Sequence, residues 1–261
     1  MTYRQFSSAC RQILRRAPTL TIAIGLAAGL LGLAACQSSP GSAVTGGEPL
    51  PGSTVTGGGI SPRMLDRSSD NSIRYLVSAD LSDIRLLVYR AGALARLGHN
   101  HVVQARNIKG EIHLAPEIHD SRFSLEIPVK DLEVDSAGPR SDEGADFSSN
   151  PDADAIAGTS RNMLGEKVLD AASYPSIKID LLALSGPIWG LDATVRINLH
   201  GVVRELVVPA VVENRNDRLV VSSVFFVNQK DFGIVPFSVL GGALQVADTV
   251  RIRMRIVAIK G

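Results

Sequence analysis

The stretch that most restricts the fold is TVRIRMRIVAI, residues 249–259. Val250, Ile252, Met254 and Ile256 fall on one side of an extended chain, and Arg251, Arg253 and Arg255 fall on the other. A period of two over that length suits a β-strand with one buried face and does not suit a helix. RFSLEIPV repeats the pattern, with Phe123, Leu125, Ile127 and Val129 opposed to Arg122, Ser124, Glu126 and Pro128. TVRINL sets Val195, Ile197 and Leu199 against Thr194, Arg196 and Asn198. Further strands are expected at 75–78, 84–89, 102–114, 177–184, 204–213 and 219–228, separated by turn residues such as Ser185-Gly186-Pro187, His200-Gly201 and Gly241-Gly242.

One stretch departs from alternation. Residues 152–169 place Ile156, Met163, Leu164 and Val168 on one helical stripe, with Asp152 and Asp154 at the amino end. The expected fold is therefore all-β: an antiparallel barrel of about eight strands, lipocalin-like, with one helical insertion near 152–169. Closure removes exposed sheet edges, and a barrel of this size holds packed side chains or one small ligand.

The barrel domain is expected over 73–261, because what precedes it has a different texture. Residues 1–35 read as an export signal. Arg4, Arg11, Arg15 and Arg16 precede an uninterrupted run from Leu20 to Ala35 without charge. At about 16 residues that run is shorter than the roughly 20 needed to span a bilayer. It ends in Leu33-Ala34-Ala35-Cys36, which resembles a bacterial lipobox and marks Cys36 for lipidation, palmitate among the acyl groups. An ordinary signal peptide or a short anchor remains open on the residues alone. Cys10 lies in the discarded segment, so Cys36 is the mature chain's single thiol and no intrachain disulfide forms.

Residues 37–72 are rich in Gly, Ser, Pro and Thr and repeat GSAVTGG as GSTVTGG. They read, with Cys36, as a flexible tether of roughly 30–36 Å root-mean-square reach. Gln37 follows the cysteine, which by analogy with lipoprotein sorting favours the periplasmic leaflet of a Gram-negative outer membrane. Cleavage before Cys36 removes four arginines and no acid, so the formal charge of +1 becomes −3. A mildly acidic chain argues against nucleic acid as a partner.

Several landmarks then occur in order: YLVSADLSDIRLLVYR at 75–90, GHNHVVQARNIKGEIHL at 98–114, VLDAASYPSIKID at 168–180, LHGVVRELVVPAVV at 199–212, VNQKDFGI at 227–234 and DTVRIRMRI at 248–256. Together they resemble the YceI-like family of periplasmic antiparallel barrels that bind polyisoprenoid lipids. The resemblance implies a long-chain lipid ligand held by apolar wall side chains, with no catalytic residue and no cofactor. The alternating faces nominate Leu86, Val88, Phe123, Leu125, Ile127, Ile179, Val195, Ile197, Phe226, Ile252 and Met254 for that wall. A membrane partner follows from the lipid anchor, and a homodimer is compatible with the reading.

His99 and His101, in GHNHVV, share a face if the segment is a strand. Both could reach one metal, but zinc needs a third protein ligand, and His113, His119 and His200 fall on a polar face, in a loop and in a turn. We read the pair as polar groups at a pocket rim able to meet a lipid head group. A metal-dependent enzyme or carrier centred on them is the alternative, and a barrel packed shut with an envelope structural role is a third. The acidic run 141–155 lacks calcium-loop spacing and reads as a solvated loop.

Overall fold

In the computed structural model the described residues are 71–215 and 217–261. The segment 1–35 expected to be a signal, Cys36 expected to be lipidated, and the expected tether up to residue 70 lie outside them. The strands are Ile73–Val77 (β1), Asp83–Ala91 (β2), His101–Ala105 (β3), Lys109–Leu114 (β4), Arg122–Pro128 (β5) and Leu132–Val134 (β6). Ser176–Ser185 (β7), Leu191–Leu199 (β8), Val202–Arg215 (β9), Arg218–Asn228 (β10), Ser238–Val239 (β11) and Leu244–Lys260 (β12) complete them, with helices Ala137–Ser141 (α1) and Ala153–Leu164 (α2).

Pairing runs β1-β4-β5-β7-β8-β9-β10-β12 and returns from β12 to β1, every contact antiparallel, so eight strands close a barrel. β12 is 17 residues long and serves two neighbours in succession on one side, β2 through Gln245–Arg255 and β1 through its last residues. The β1–β2, β4–β3 and β5–β6 pairs thus act as broken strands, and β2-β3-β6 continues the sheet past the closure. The run expected as one strand over 102–114 divides here, where Asn107 takes a left-handed φ of 51° between β3 and β4.

Two local features show how sequence sets the turns and the helix. Leu199 pairs with Val202, leaving only His200 and Gly201 in the β8–β9 turn. Both have positive φ, 53° and 73°, the mirror-image turn whose twist suits a hairpin. The Asp152 side chain accepts from the Ala155 N–H at 2.8 Å and caps α2. The helix ends at Gly165, earlier than the expected 169, and Ile156, Met163 and Leu164 pack on the core.

The acidic run 141–155 is exposed over most of its length, but Glu143 and Phe147 within it are taken up by the barrel. Phe147 packs with Leu87 and Val102 on the outer face of β2 and β3, its ring 5.4 Å from that of Tyr89. The Glu143 side chain is 4% exposed, and both its oxygens accept from Arg253 Nη1 at 2.6 Å. It also accepts from Arg85 Nη1 at 3.0 Å. One arginine of the β12 stripe, Arg253, is thereby paired while its side chain stays 42% exposed.

Candidate functional site

Inward residues of the barrel surround two cavities. The first, of about 90 Å³, is lined by Ile112 and Leu114 on β4, Phe123 on β5, Ile179, Leu181 and Leu184 on β7, and Ala193 and Val195 on β8. Val208, Ala210 and Val212 of β9, Val221 and Phe225 of β10, and Met254 and Ile256 of β12 complete an almost wholly apolar wall. The second, of about 200 Å³, lies at the opposite end beneath α2. It is bounded by Leu86, Val88, Val103, Leu132, Met163, Leu199, Val227, Phe237 and Val250, with Thr159, Asn162, Gln229 and His101 as its polar members. Both exceed the space one water needs.

The nominated wall residues divide between these places. Phe123, Ile179, Val195 and Met254 line the first cavity, and Leu86 and Val88 line the second. Leu125, Ile127, Ile197 and Ile252 face inward but touch neither; they are buried at 2–8% exposure in a packed layer between the two. On β8, Ile197 stands between Val195 of one cavity and Leu199 of the other, and on β12 Ile252 stands likewise between Met254 and Val250.

Phe226 is a correction. It pairs with Arg251 on the outer face and is 60% exposed. Its neighbour Phe225, opposite Ile252, takes the inward place at 8% exposure. The register of β10 against β12 decides this, since a one-residue shift exchanges the faces.

The GHNH segment builds a buried polar cluster at the second cavity. His101 begins β3 and reaches the cavity, while its Nδ1 lies 2.7 Å from Asp135 Oδ2. Asp135 follows β6 with φ 54°, a conformation Asp tolerates better than most residues. Its other oxygen accepts from the Val102 N–H at 2.9 Å and from Arg140 Nη1. Arg140 also donates to Asn100 O at 2.8 Å, to Ser149 O at 2.8 Å and to Ser149 Oγ at 2.7 Å. Asn100 in turn accepts from the Arg90 N–H and donates to Asp146 O. Asn100, Asp135 and Arg140 are each under 9% exposed.

Burial alone would raise the Asp135 carboxyl's pKa, but the bonds from His101 and the Val102 N–H, with the Arg140 charge, hold it below the ordinary carboxylate range. His99 stacks edge-on to His101 with ring centres 4.8 Å apart. Burial first, then the His101 neighbour, push the His99 pKa down. With Nδ1 committed to Asp135, Nε2 is the remaining polar atom of the His101 ring. Sequence reasoning found His99 and His101 but missed Asp135 and Arg140, which close the cluster from 34 and 39 residues further along. Among the described residues no three His, Cys, Asp or Glu side chains are grouped to hold a metal ion.

The other histidines serve the frame. His113 lies 3.3 Å from Glu111, and His119 lies 2.9 Å from both Glu117 Oε1 and Gly186 O. The His200 ring packs 4.5 Å from that of Tyr174.

The sequence profile of the YceI-like domain matches residues 82–258. The chain belongs to the YceI-like family. Solved structures agree at the level of fold. BcnA of Burkholderia cenocepacia superposes with a TM-score of 0.53 at 14% identity, covering 69% of this chain and 98% of that one. A polyisoprenoid binding domain from Saccharophagus degradans, implicated in plant cell wall breakdown, superposes with a TM-score of 0.51 at 13% identity, covering 72% and 99%. No curated protein matches this YceI-like chain in sequence.

Proposed function

We propose that this YceI-like barrel binds a long-chain lipid of the polyisoprenoid type, sequestering or carrying it without chemistry of its own. The observation that carries the reading is the pair of apolar cavities in line within one barrel, separated by a single layer of aliphatic side chains. A thin flexible chain can occupy both ends if that layer parts, whereas a compact polar metabolite finds no polar wall in the first cavity. Family membership and the likeness to a polyisoprenoid binding domain support it. Leu86, Val88, Phe123, Ile179, Val195 and Met254 would contact the chain directly, and Leu125, Ile127, Ile197 and Ile252 would yield to it.

His101 then meets the polar end. Its Nδ1 is taken by Asp135, so Nε2 is the ring atom that would hydrogen-bond the head group. In the cell the protein would sit as a lipoprotein acylated at Cys36, held to the periplasmic leaflet of the outer membrane. More than one acyl chain is needed for such an anchor to hold firmly.

Native mass spectrometry of the purified full chain, with its extractable lipid and metal content determined, tests the binding. A stoichiometric isoprenoid supports the proposal. A protein free of lipid that binds none when offered a polyprenol overturns it, and stoichiometric metal lost on His101→Ala would move the case to a metal protein. Cys36→Ala should release the protein from membranes; retention on them would refute the anchor alone.

A further inference from the structure

The β7–β8 hairpin ends in Gly186-Pro187-Ile188-Trp189-Gly190, and its tip presents two large apolar side chains to solvent. Trp189 is 82% exposed and Ile188 70%, and among the described residues no large apolar side chain is more exposed than Trp189. A scattered exposed apolar residue is ordinary, but two adjacent ones on a braced turn are less so. The brace is explicit. Gly186 turns the chain at φ 83°, the Gly190 N–H donates to Pro187 O at 2.9 Å, and His119 Nε2 lies 2.9 Å from Gly186 O.

Its place in the fold indicates the occupant. Leu184 and Ala193, cross-strand partners just behind the tip, both line the first cavity. Ile73, where the preceding chain joins the barrel, pairs with Leu114, which lines the same cavity. The chain that precedes the barrel, expected to be the tether from Cys36, therefore joins at the hairpin's end of the barrel. That end carries Arg74, Arg122, Arg215, Arg218 and Lys260 against Glu117, Asp120, Asp192, Glu213 and Asp217. Such a near balance of charge favours neither an acidic nor a basic partner surface, which leaves apolar insertion as the means of attachment.

We propose that the hairpin tip is a bilayer-docking finger: Ile188 and Trp189 seat in the boundary between head groups and acyl chains and hold the first cavity's mouth against the membrane. Tryptophan favours that boundary because its ring is apolar and its indole N–H still reaches polar groups. The docking stands apart from what the barrel carries, so a lipid-free barrel would leave it intact.

Trp189 is the chain's single tryptophan, so its fluorescence reports the finger alone. The full chain is reconstituted into phosphatidylcholine vesicles and collected by flotation. The expected result is quenching by phosphatidylcholine brominated near the head group and loss of quenching by aqueous iodide. Trp189 quenched by iodide and untouched by bromolipid, on protein that floats with the vesicles, would overturn the proposal. Ile188→Asp changes a side chain outside the barrel core and should return Trp189 to iodide with an unchanged circular dichroism spectrum. Undiminished bromolipid quenching in that variant would overturn the proposal equally.

Discussion

Replacing Asp135 with Asn isolates the charge that holds the GHNH cluster together. Asn fits the volume and, like Asp, tolerates the left-handed backbone at φ 54°. It can still accept from the Val102 N–H, so the backbone bond at 2.9 Å need not be lost. What disappears is the countercharge of Arg140, whose side chain is 6% exposed. Breaking a buried ion pair by removing one partner costs about 3–5 kcal/mol. Arg140 keeps three neutral acceptors, at Asn100 O, Ser149 O and Ser149 Oγ, which places the loss near the lower figure. A loss of about 3 kcal/mol lowers the melting temperature of a domain this size by roughly 6–12 °C.

Urea denaturation at neutral pH measures the change as a lower midpoint at constant slope. Adding Arg140→Met to the Asp135→Asn variant removes the stranded cation and should recover part of the loss. A single-variant loss below about 1 kcal/mol, or a double variant less stable than the single, would refute the claim that a buried pair ties the 135–149 segment to β3.

Acid should act on the same group. The folded Asp135 pKa is depressed, so its contribution is present above the unfolded value of about 3.9 and is lost as pH falls through the folded value. The stability gap between the wild type and Asp135→Asn should hold constant above about pH 5 and close on acidification; a gap that widens in acid contradicts the sign. Gly201→Ala should cost at least about 1–2 kcal/mol from the left-handed φ alone. The added Cβ would also lie 2.5 Å from Tyr174 Cε1, so a variant as stable as the parent in thermal melts would refute the turn. Ala210→Leu projects into the first cavity, where free space spares most of the roughly 1–3 kcal/mol of ordinary overpacking. It should melt close to the parent yet take up less polyprenol in a binding titration; unchanged uptake would remove the first cavity from the ligand path.

The barrel was legible because one-sided burial writes itself as a period of two, which β5 and β8 carry end to end and β12 carries from Val250 to Ile256. Alternation fails where it is symmetrical. Val224-Phe225-Phe226-Val227 gives each face one valine and one phenylalanine, so only the β10–β12 register separates Phe225 from Phe226. The cluster around His101 was half legible for a different reason. Histidines two apart are visible locally, but the Asp135 and Arg140 that fix their role arrive through the β3–β6 pairing, and pairing between strands about 30 residues apart leaves no local trace. Phe147 inside the acidic run was the available signal, since a lone aromatic among Asp, Ser and Gly needs somewhere to pack.

Hydrophobicity also says nothing about where a barrel is hollow, because packed wall and cavity wall are equally apolar. Side-chain size on the inward face says more. Ala193 and Ala210 face each other's neighbours on β8 and β9 and line the first cavity, while Ile197, two turns of the pleat beyond Ala193, closes the layer below it. Two alanines among Val, Ile and Leu on adjacent strands remove several methyl groups at one level, and the close-packed layer beside them leaves that deficit as space. At this end of the barrel the place where a ligand fits is set by where the inward side chains become small, whereas the second cavity, lined by no alanine, lies where α2 spans the other end.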